Sequence, residues 1–169
     1  MTYFIIIRGP LGVGKSLVAK GLAKVLHAEY ISIDTALDNH GLTKTDSDYT
    51  SEDFIKSHEY IIPEAKEKLS QGKILIFDGN FYFINQIKHL IQNLDTDNVV
   101  FTLKAPLQVC IKRDRKRQQS YGKEATRAVY NLVSKFDYGI SIDTNKKTIE
   151  KIIEEMLPHL PNRNKSCAE

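Results

Sequence analysis

The stretch Tyr3-Phe-Ile-Ile-Ile-Arg8-Gly9-Pro-Leu-Gly-Val-Gly14-Lys15-Ser16 decides the fold. Its first half is a short apolar run of the kind that a strand buried on both faces requires. From Gly14 to about Leu26 the apolar residues recur instead with helical period. Between the two, Gly9 to Ser16 has the spacing G-x-x-x-x-G-K-[ST]. Glycines let the backbone wrap closely round a polyphosphate, and its amides and the helix N-terminus present the positive ends of dipoles. Lys15 adds a point charge, and the Ser16 hydroxyl suits a hard cation such as Mg²⁺. The residues expected to touch a nucleotide are Gly9, Leu11, Gly12, Val13, Gly14, Lys15, Ser16 and Leu17, with Lys15 on the surface of the turn.

Outward from this loop, strand-like runs at Glu29–Ile33, Lys73–Phe77, Asn98–Lys104 and Gly139–Ile142 alternate with helical stretches. Ser51 is placed as the N-cap of a helix reaching about Ser70, which Pro63 is expected to bend or interrupt. Further helices are expected near Ile84–Asn93, in two pieces over Leu107–Phe136 with Pro106 in the first turn, and at Lys147–Leu157, stopped by Pro158. Parallel strands need long crossovers, so this alternation predicts a three-layer α/β fold with a parallel sheet of about five strands and helices on both faces. One domain is expected over 1–158, followed by a polar tail, 159–169. Ligands of such sheets lie outside the carboxyl ends of the strands, which singles out Gly9, Asp34, Asp78 and Ala105.

The 169 residues are 41% hydrophobic and 27% charged with 5 prolines, which excludes disordered, collagenous and disulfide-stapled classes. The apolar runs fall far short of the roughly 18 residues that span a bilayer, and no basic segment precedes a cleavable signal. A cytoplasmic protein without membrane contact is the expectation. Cys110 and Cys167 lack the spacing of a zinc site, and the histidines form no ligand pattern, so surface or capping roles are expected of them.

Asp78 ends the apolar run Lys73-Ile-Leu-Ile-Phe, where a carboxylate can help Ser16 to organise Mg²⁺ or simply cap a turn. Asp34 is read as ending the second strand on the same sheet edge, placed to accept a proton from an attacking hydroxyl, to hold metal-bound water or to cap the next helix. Asn80 could contact an acceptor or cap a helix, with neither favoured. The segment Lys112 to Arg127 carries seven Lys and Arg against Asp114 and Glu124. Arg113 and Arg117, four apart, are expected on one helix face, where both could grip a phosphoryl group as a closing lid; binding of nucleic acid is possible but not favoured. Asp38-Asn-His-Gly41 and Thr43-Lys-Thr-Asp46 imitate guanine-nucleotide elements, but they lie almost end to end and are set aside.

Together these residues resemble the small P-loop kinases, within them the chloramphenicol phosphotransferase-like group, which is similar to polynucleotide kinase and zeta toxin domains. The likeness rests on Gly9 to Ser16, on Asp34, on the basic helix around Arg113 and Arg117, and on Tyr130 to Thr144 followed by a C-terminal helix. Leu17 departs from the pattern, since many relatives carry Ser or Thr there. The resemblance implies ATP with Mg²⁺, Asp34 as general base, lid arginines over about 107–136, and transfer of a phosphoryl group to a hydroxyl.

Between Arg8 and Arg113 the sequence has no arginine, whereas nucleoside monophosphate kinases grip the acceptor's phosphate with arginines from that region. Aromatics are frequent there instead: Tyr49, Phe54, Tyr60, Phe81, Tyr82 and Phe83. The expected acceptor is therefore a small, uncharged hydroxyl compound. A nucleoside monophosphate or polynucleotide 5′-hydroxyl kinase, and a non-kinase ATP-binding regulator, stand as alternatives.

Overall fold

A computed structural model describes residues 2–42 and 49–161; Thr43 to Asp46, Cys167 and most of the polar tail lie outside the described residues. The chain runs β1 (Phe4–Arg8), α1 (Lys15–Leu26), β2 (Glu29–Ser32), α2 (Ile33–Asn39), α3 (Ser51–Ser70), β3 (Leu75–Asp78) and α4 (Ile84–Leu94). It continues through β4 (Asn98–Lys104), α5 (Leu107–Asp114), α6 (Lys123–Val133), β5 (Ile140–Asp143) and α7 (Ile149–Met156). The 5-stranded sheet has the order β2-β3-β1-β4-β5, and every pair in it is parallel. The fold is that of the α/β P-loop NTPases, as the loop and the alternation of elements predict.

β1 lies at the centre, and its five residues are all buried. Successive side chains leave a strand on opposite faces, so β1 feeds two cores. Ile5 and Ile7 pack with Val18 and Leu22 of α1 and Ile152 and Met156 of α7. Phe4 and Ile6 pack with Leu37, Phe54, Ile62 and Leu90 on the α2, α3 and α4 side. Parallel pairing puts the carboxyl ends of all the strands on one edge, and the phosphate loop leaves from the middle of it.

Three local expectations change. α3 is capped by Thr50 rather than Ser51: the Asp53 carboxylate accepts from the Thr50 amide at 2.8 Å and from its hydroxyl at 2.9 Å. α3 also runs uninterrupted through Pro63, which lies on its exposed face. The hydrogen bond lost at Pro63 frees a carbonyl on the exposed side of the helix, within reach of water. Finally, His58 is neither exposed nor a cap. It is fully buried between α3 and α4, stacked on His89 with ring centroids 5.6 Å apart.

Candidate active site

The phosphate loop is shaped by glycines that other residues could not replace. Gly12 has φ 76°, and a Cβ there would collide with the Cys110 carbonyl oxygen of α5. Gly14, with φ 103°, turns the chain into α1. The loop closes over its own lysine through one carbonyl, that of Pro10. Lys15 is only 8% exposed, and its Nζ donates to the Pro10 carbonyl at 3.0 Å, so it does not stand on the surface as expected. Burial lowers the Lys15 pKa, while the carboxylates of Asp78 and Asp34 oppose the shift and Arg117 adds to it. Lys15, Asp78, Asp34 and Arg117 thus share one electrostatic neighbourhood.

Asp78 ends β3 and is 4% exposed. Its Oδ2 accepts from the Tyr30 hydroxyl at 2.8 Å, and its Oδ1 is buried without a partner. Burial and Asp78 together push the Tyr30 phenol up to about 12, and Ser16 stands against the same phenol. A buried, unpaired carboxylate oxygen near a loop serine is the donor chemistry that Mg²⁺ takes. Ser16 and Asp78 therefore fit a cation that would complete its shell with phosphate oxygens and water. Among the described residues no group of three or more His, Cys, Asp or Glu could hold a metal by itself.

Asp34 does not end β2. The strand stops at Ser32, whose side chain caps α2 by accepting from the Thr35 amide at 3.2 Å, and Asp34 lies in the first turn of that helix. The capping role is therefore taken by a neighbour, and Asp34 is left facing the site. Its side chain stays open to solvent, yet the protein packed around it raises its pKa; Lys15 opposes the shift, while Asp78 and Asp38 add to it.

The two lid arginines part company. α5 ends at Asp114, so Arg117 follows the helix and does not share a face with Arg113. Arg113 reaches back to the phosphate loop: Nη1 donates to the Val13 carbonyl at 3.1 Å and to Thr144 Oγ1 at 2.9 Å, and Nη2 to the Thr144 carbonyl at 2.7 Å. The fully buried Thr144 donates to the same Val13 carbonyl at 3.0 Å. Arg117 instead lies 5.7 Å from the centre of the Tyr121 ring. The loop carrying both residues is tied down by Asp114, which accepts from Ser120 Oγ at 2.7 Å and from the Gly122 amide at 3.1 Å. Burial would raise the Asp114 pKa, but these bonds outweigh it and hold the pKa low.

Sequence reading missed Arg8. It is fully buried, stacked 4.2 Å from the centre of the Phe136 ring, and donates to the carbonyls of Val133 at 2.8 Å and Phe136 at 3.1 Å. Its pKa is lowered to about 10 by burial, against a raising effect of Asp137. Nothing in a strand sequence signals such a role, since the carbonyls that satisfy Arg8 come from residues 73 or more positions away.

Two cavities flank the phosphate loop. One, of about 580 Å³, is lined by Gly12, Val13 and Gly14 of the loop and Leu17 of α1, with Arg117 and Ile149 among the other residues. The other, of about 420 Å³, is lined by Leu11, Asp34, Asn80 and the aromatics Phe54, Tyr82 and Tyr121 among others. Residues 4–135 match the family described as AAA domain. The chain belongs to the AAA domain family. This AAA domain is 29% identical, over 98% of its own length and 69% of the relative's, to an L-seryl-tRNA(Sec) kinase of Methanococcus maripaludis. Its fold matches a sugar kinase from a Janibacter species with TM-score 0.73 at 19% identity, over 93% of each chain. It also matches a tunicamycin resistance protein of Deinococcus radiodurans with TM-score 0.65 at 20% identity, over 94% of this chain and 95% of that one. The architecture is that of a small P-loop kinase, and among the described residues no helix is long and apolar enough to cross a membrane.

Proposed function

We propose that the protein is an ATP:alcohol phosphotransferase, moving the γ-phosphoryl group of ATP to a hydroxyl of a small, uncharged acceptor. The observation that carries this reading is the position of the phosphate loop between two cavities, with Leu11 and Asp34 against one and Gly12 to Gly14 against the other. A nucleotide-driven switch has no use for a second cavity that meets a carboxylate at the phosphate loop. The relatives do not choose the acceptor, being named for L-seryl-tRNA(Sec) in one case and for a sugar in another. Among the described residues lining the second cavity there is no lysine or arginine, which supports an uncharged acceptor over a phosphorylated one. We read 107–136 as a lid within a single domain over 1–158.

In this mechanism the acceptor oxygen attacks the γ-phosphorus in line. The new O–P bond forms as the bond from that phosphorus to the β,γ-bridging oxygen breaks, and ADP leaves with the electron pair. Asp34 takes the hydroxyl proton, which its raised pKa favours. Lys15 and the loop amides hold the β- and γ-phosphates, and Arg117 covers the transferring group. Arg113 works from behind, by holding the loop at Val13. Ser16 and Asp78 would hold Mg²⁺, which when bound neutralises charge on the phosphate oxygens.

The test is ADP release from ATP and Mg²⁺ with and without a panel of hydroxyl compounds, with the phosphorylated product identified by ³¹P NMR. Acceptor-dependent release is expected. Release indifferent to every acceptor, with tight nucleotide binding, would favour the regulator instead.

A further inference from the structure

The cavity beside Asp34 holds an unexplained group. Asn80, in the turn after β3, is 7% exposed and lines the cavity. Its Nδ2 donates to the Tyr82 hydroxyl at 2.8 Å, while its Oδ1 is buried with no partner in the protein. A native protein rarely leaves such a group unpaired, because a buried acceptor without a partner forfeits the bonds it makes to water. Turning the amide over does not remove the problem: Tyr82 would then donate to Oδ1, and the amide nitrogen would be left over. A bound hydroxyl, which both donates and accepts, satisfies Asn80 in either orientation.

The walls define the rest of the ligand. Phe54 and Tyr82 lie with ring centroids 5.6 Å apart, and Tyr121 adds a further ring from the lid loop. Aromatic faces take the C–H faces of a ring and exclude water, while a carboxylate and a carboxamide set at the edge take its hydroxyls. The volume of about 420 Å³ leaves room for one ring system or two.

Resting on the phosphotransferase reading above, we infer that the acceptor is a cyclic polyol, a sugar, cyclitol or nucleoside ribose, with one hydroxyl facing Asp34 and a second bound by Asn80. Asn80 is then the specificity-determining residue: it does not touch the transferring phosphoryl group but selects acceptors that carry a second hydroxyl. It occupies the segment Asp78-Gly-Asn-Phe-Tyr82, where an arginine would serve a phosphorylated acceptor.

Two measurements test this with myo-inositol, D-glucose, D-ribose and adenosine as polyols, cyclohexanol and benzyl alcohol as single alcohols, 2-deoxy-D-glucose and 2′-deoxyadenosine as matched deoxy compounds, and AMP. The first is saturation-transfer NMR binding in the presence of a non-hydrolysable ATP analogue; the second is acceptor-dependent ADP release. At least one polyol is expected to bind and to be phosphorylated with kcat/KM tenfold or more above each single alcohol and AMP. Asn80→Ala is expected to raise its KM at least tenfold while leaving the KM for ATP within twofold. Binding of a polyol without transfer would uphold the cavity assignment and reject the phosphotransferase reading. Transfer to single alcohols or AMP at least as fast as to polyols would do the reverse, and no binding of and no transfer to any compound of the panel would overturn both. Should Asn80→Ala prove unstable by its melting temperature, the deoxy pairs decide on the unaltered protein: a deoxy compound within threefold of its parent for every pair rejects the second hydroxyl.

Discussion

At the scale of single residues, the proposed reaction assigns binding to Lys15 and proton transfer to Asp34. Lys15 is enclosed by its own loop and bonded to Pro10, so Lys15→Ala removes the charge that the proposed reaction sets against ATP and leaves the surrounding core untouched. ATP affinity is expected to fall at least tenfold with an unchanged far-UV circular dichroism spectrum; unchanged affinity and turnover would reject the phosphate-loop assignment. Asp34→Asn keeps the shape and loses the basicity. Because Ser32, not Asp34, caps α2, the melting temperature should hardly move, while kcat for the acceptor falls roughly 10²-fold or more. The raised pKa of Asp34 also sets a pH limb: the base works only when ionised, so kcat should fall as pH is lowered, beginning at higher pH than an ordinary aspartate would allow. A kcat within a few fold of the unaltered protein sinks this role. Residue types were legible here, since a phosphate loop and a strand-edge carboxylate are local patterns. The burial of Lys15 was not, because it depends on where the loop's carbonyls turn.

At the scale of elements, the α5–α6 segment decides between two arginines that sequence spacing treats alike. A helix through Arg117 would set both on one face, but the chain leaves the helix after Asp114, whose carboxylate gathers Ser120 and Gly122 into a tight loop. Arg113 then clips the phosphate loop, and Arg117 stands beside Tyr121 and lines the cavity next to that loop. Arg113→Lys cannot reproduce the paired bonds to Val13 and Thr144, so it should raise the KM for ATP more than it lowers kcat. Arg117→Lys should lower kcat with little change in that KM. Steady-state kinetics on the two variants checks both, and identical kinetic profiles would show that the division is wrong.

At the scale of the whole molecule, the two cores on either side of the sheet make the fold, and the α3–α4 side carries a weakness under acid. His58 is buried with both ring nitrogens unpaired, and burial, helped by His89, presses its pKa down to about 3. The folded state therefore binds fewer protons than the unfolded state, whose histidine titrates near 6.5. Stability is fully present above pH 6.5 and is lost as pH falls towards 3, by up to about 1.4 kcal/mol per pH unit from this group. Urea midpoints measured from pH 7.5 to 5 should drop less steeply in His58→Phe than in the unaltered protein. Equal slopes would mean that His58 finds a partner for its proton.

The sequence by itself determined the order of strands and helices, the phosphate loop and the chemical types at the sheet edge, because hydrophobic period and glycine spacing are local properties of a chain. Where Asp34 sits was legible to within a residue or two, a shift that carries it from strand end to helix turn. The rest was decided only by tertiary structure: the separate positions of Arg113 and Arg117, the satisfaction of Arg8 by distant carbonyls, and the meeting of Asn80 with Tyr82 and with Tyr121 of the α5–α6 loop round one cavity. Each depends on side-chain directions that emerge once the parallel sheet has brought segments far apart in sequence to the same edge, and a buried polar group takes its partner from whatever that packing places beside it.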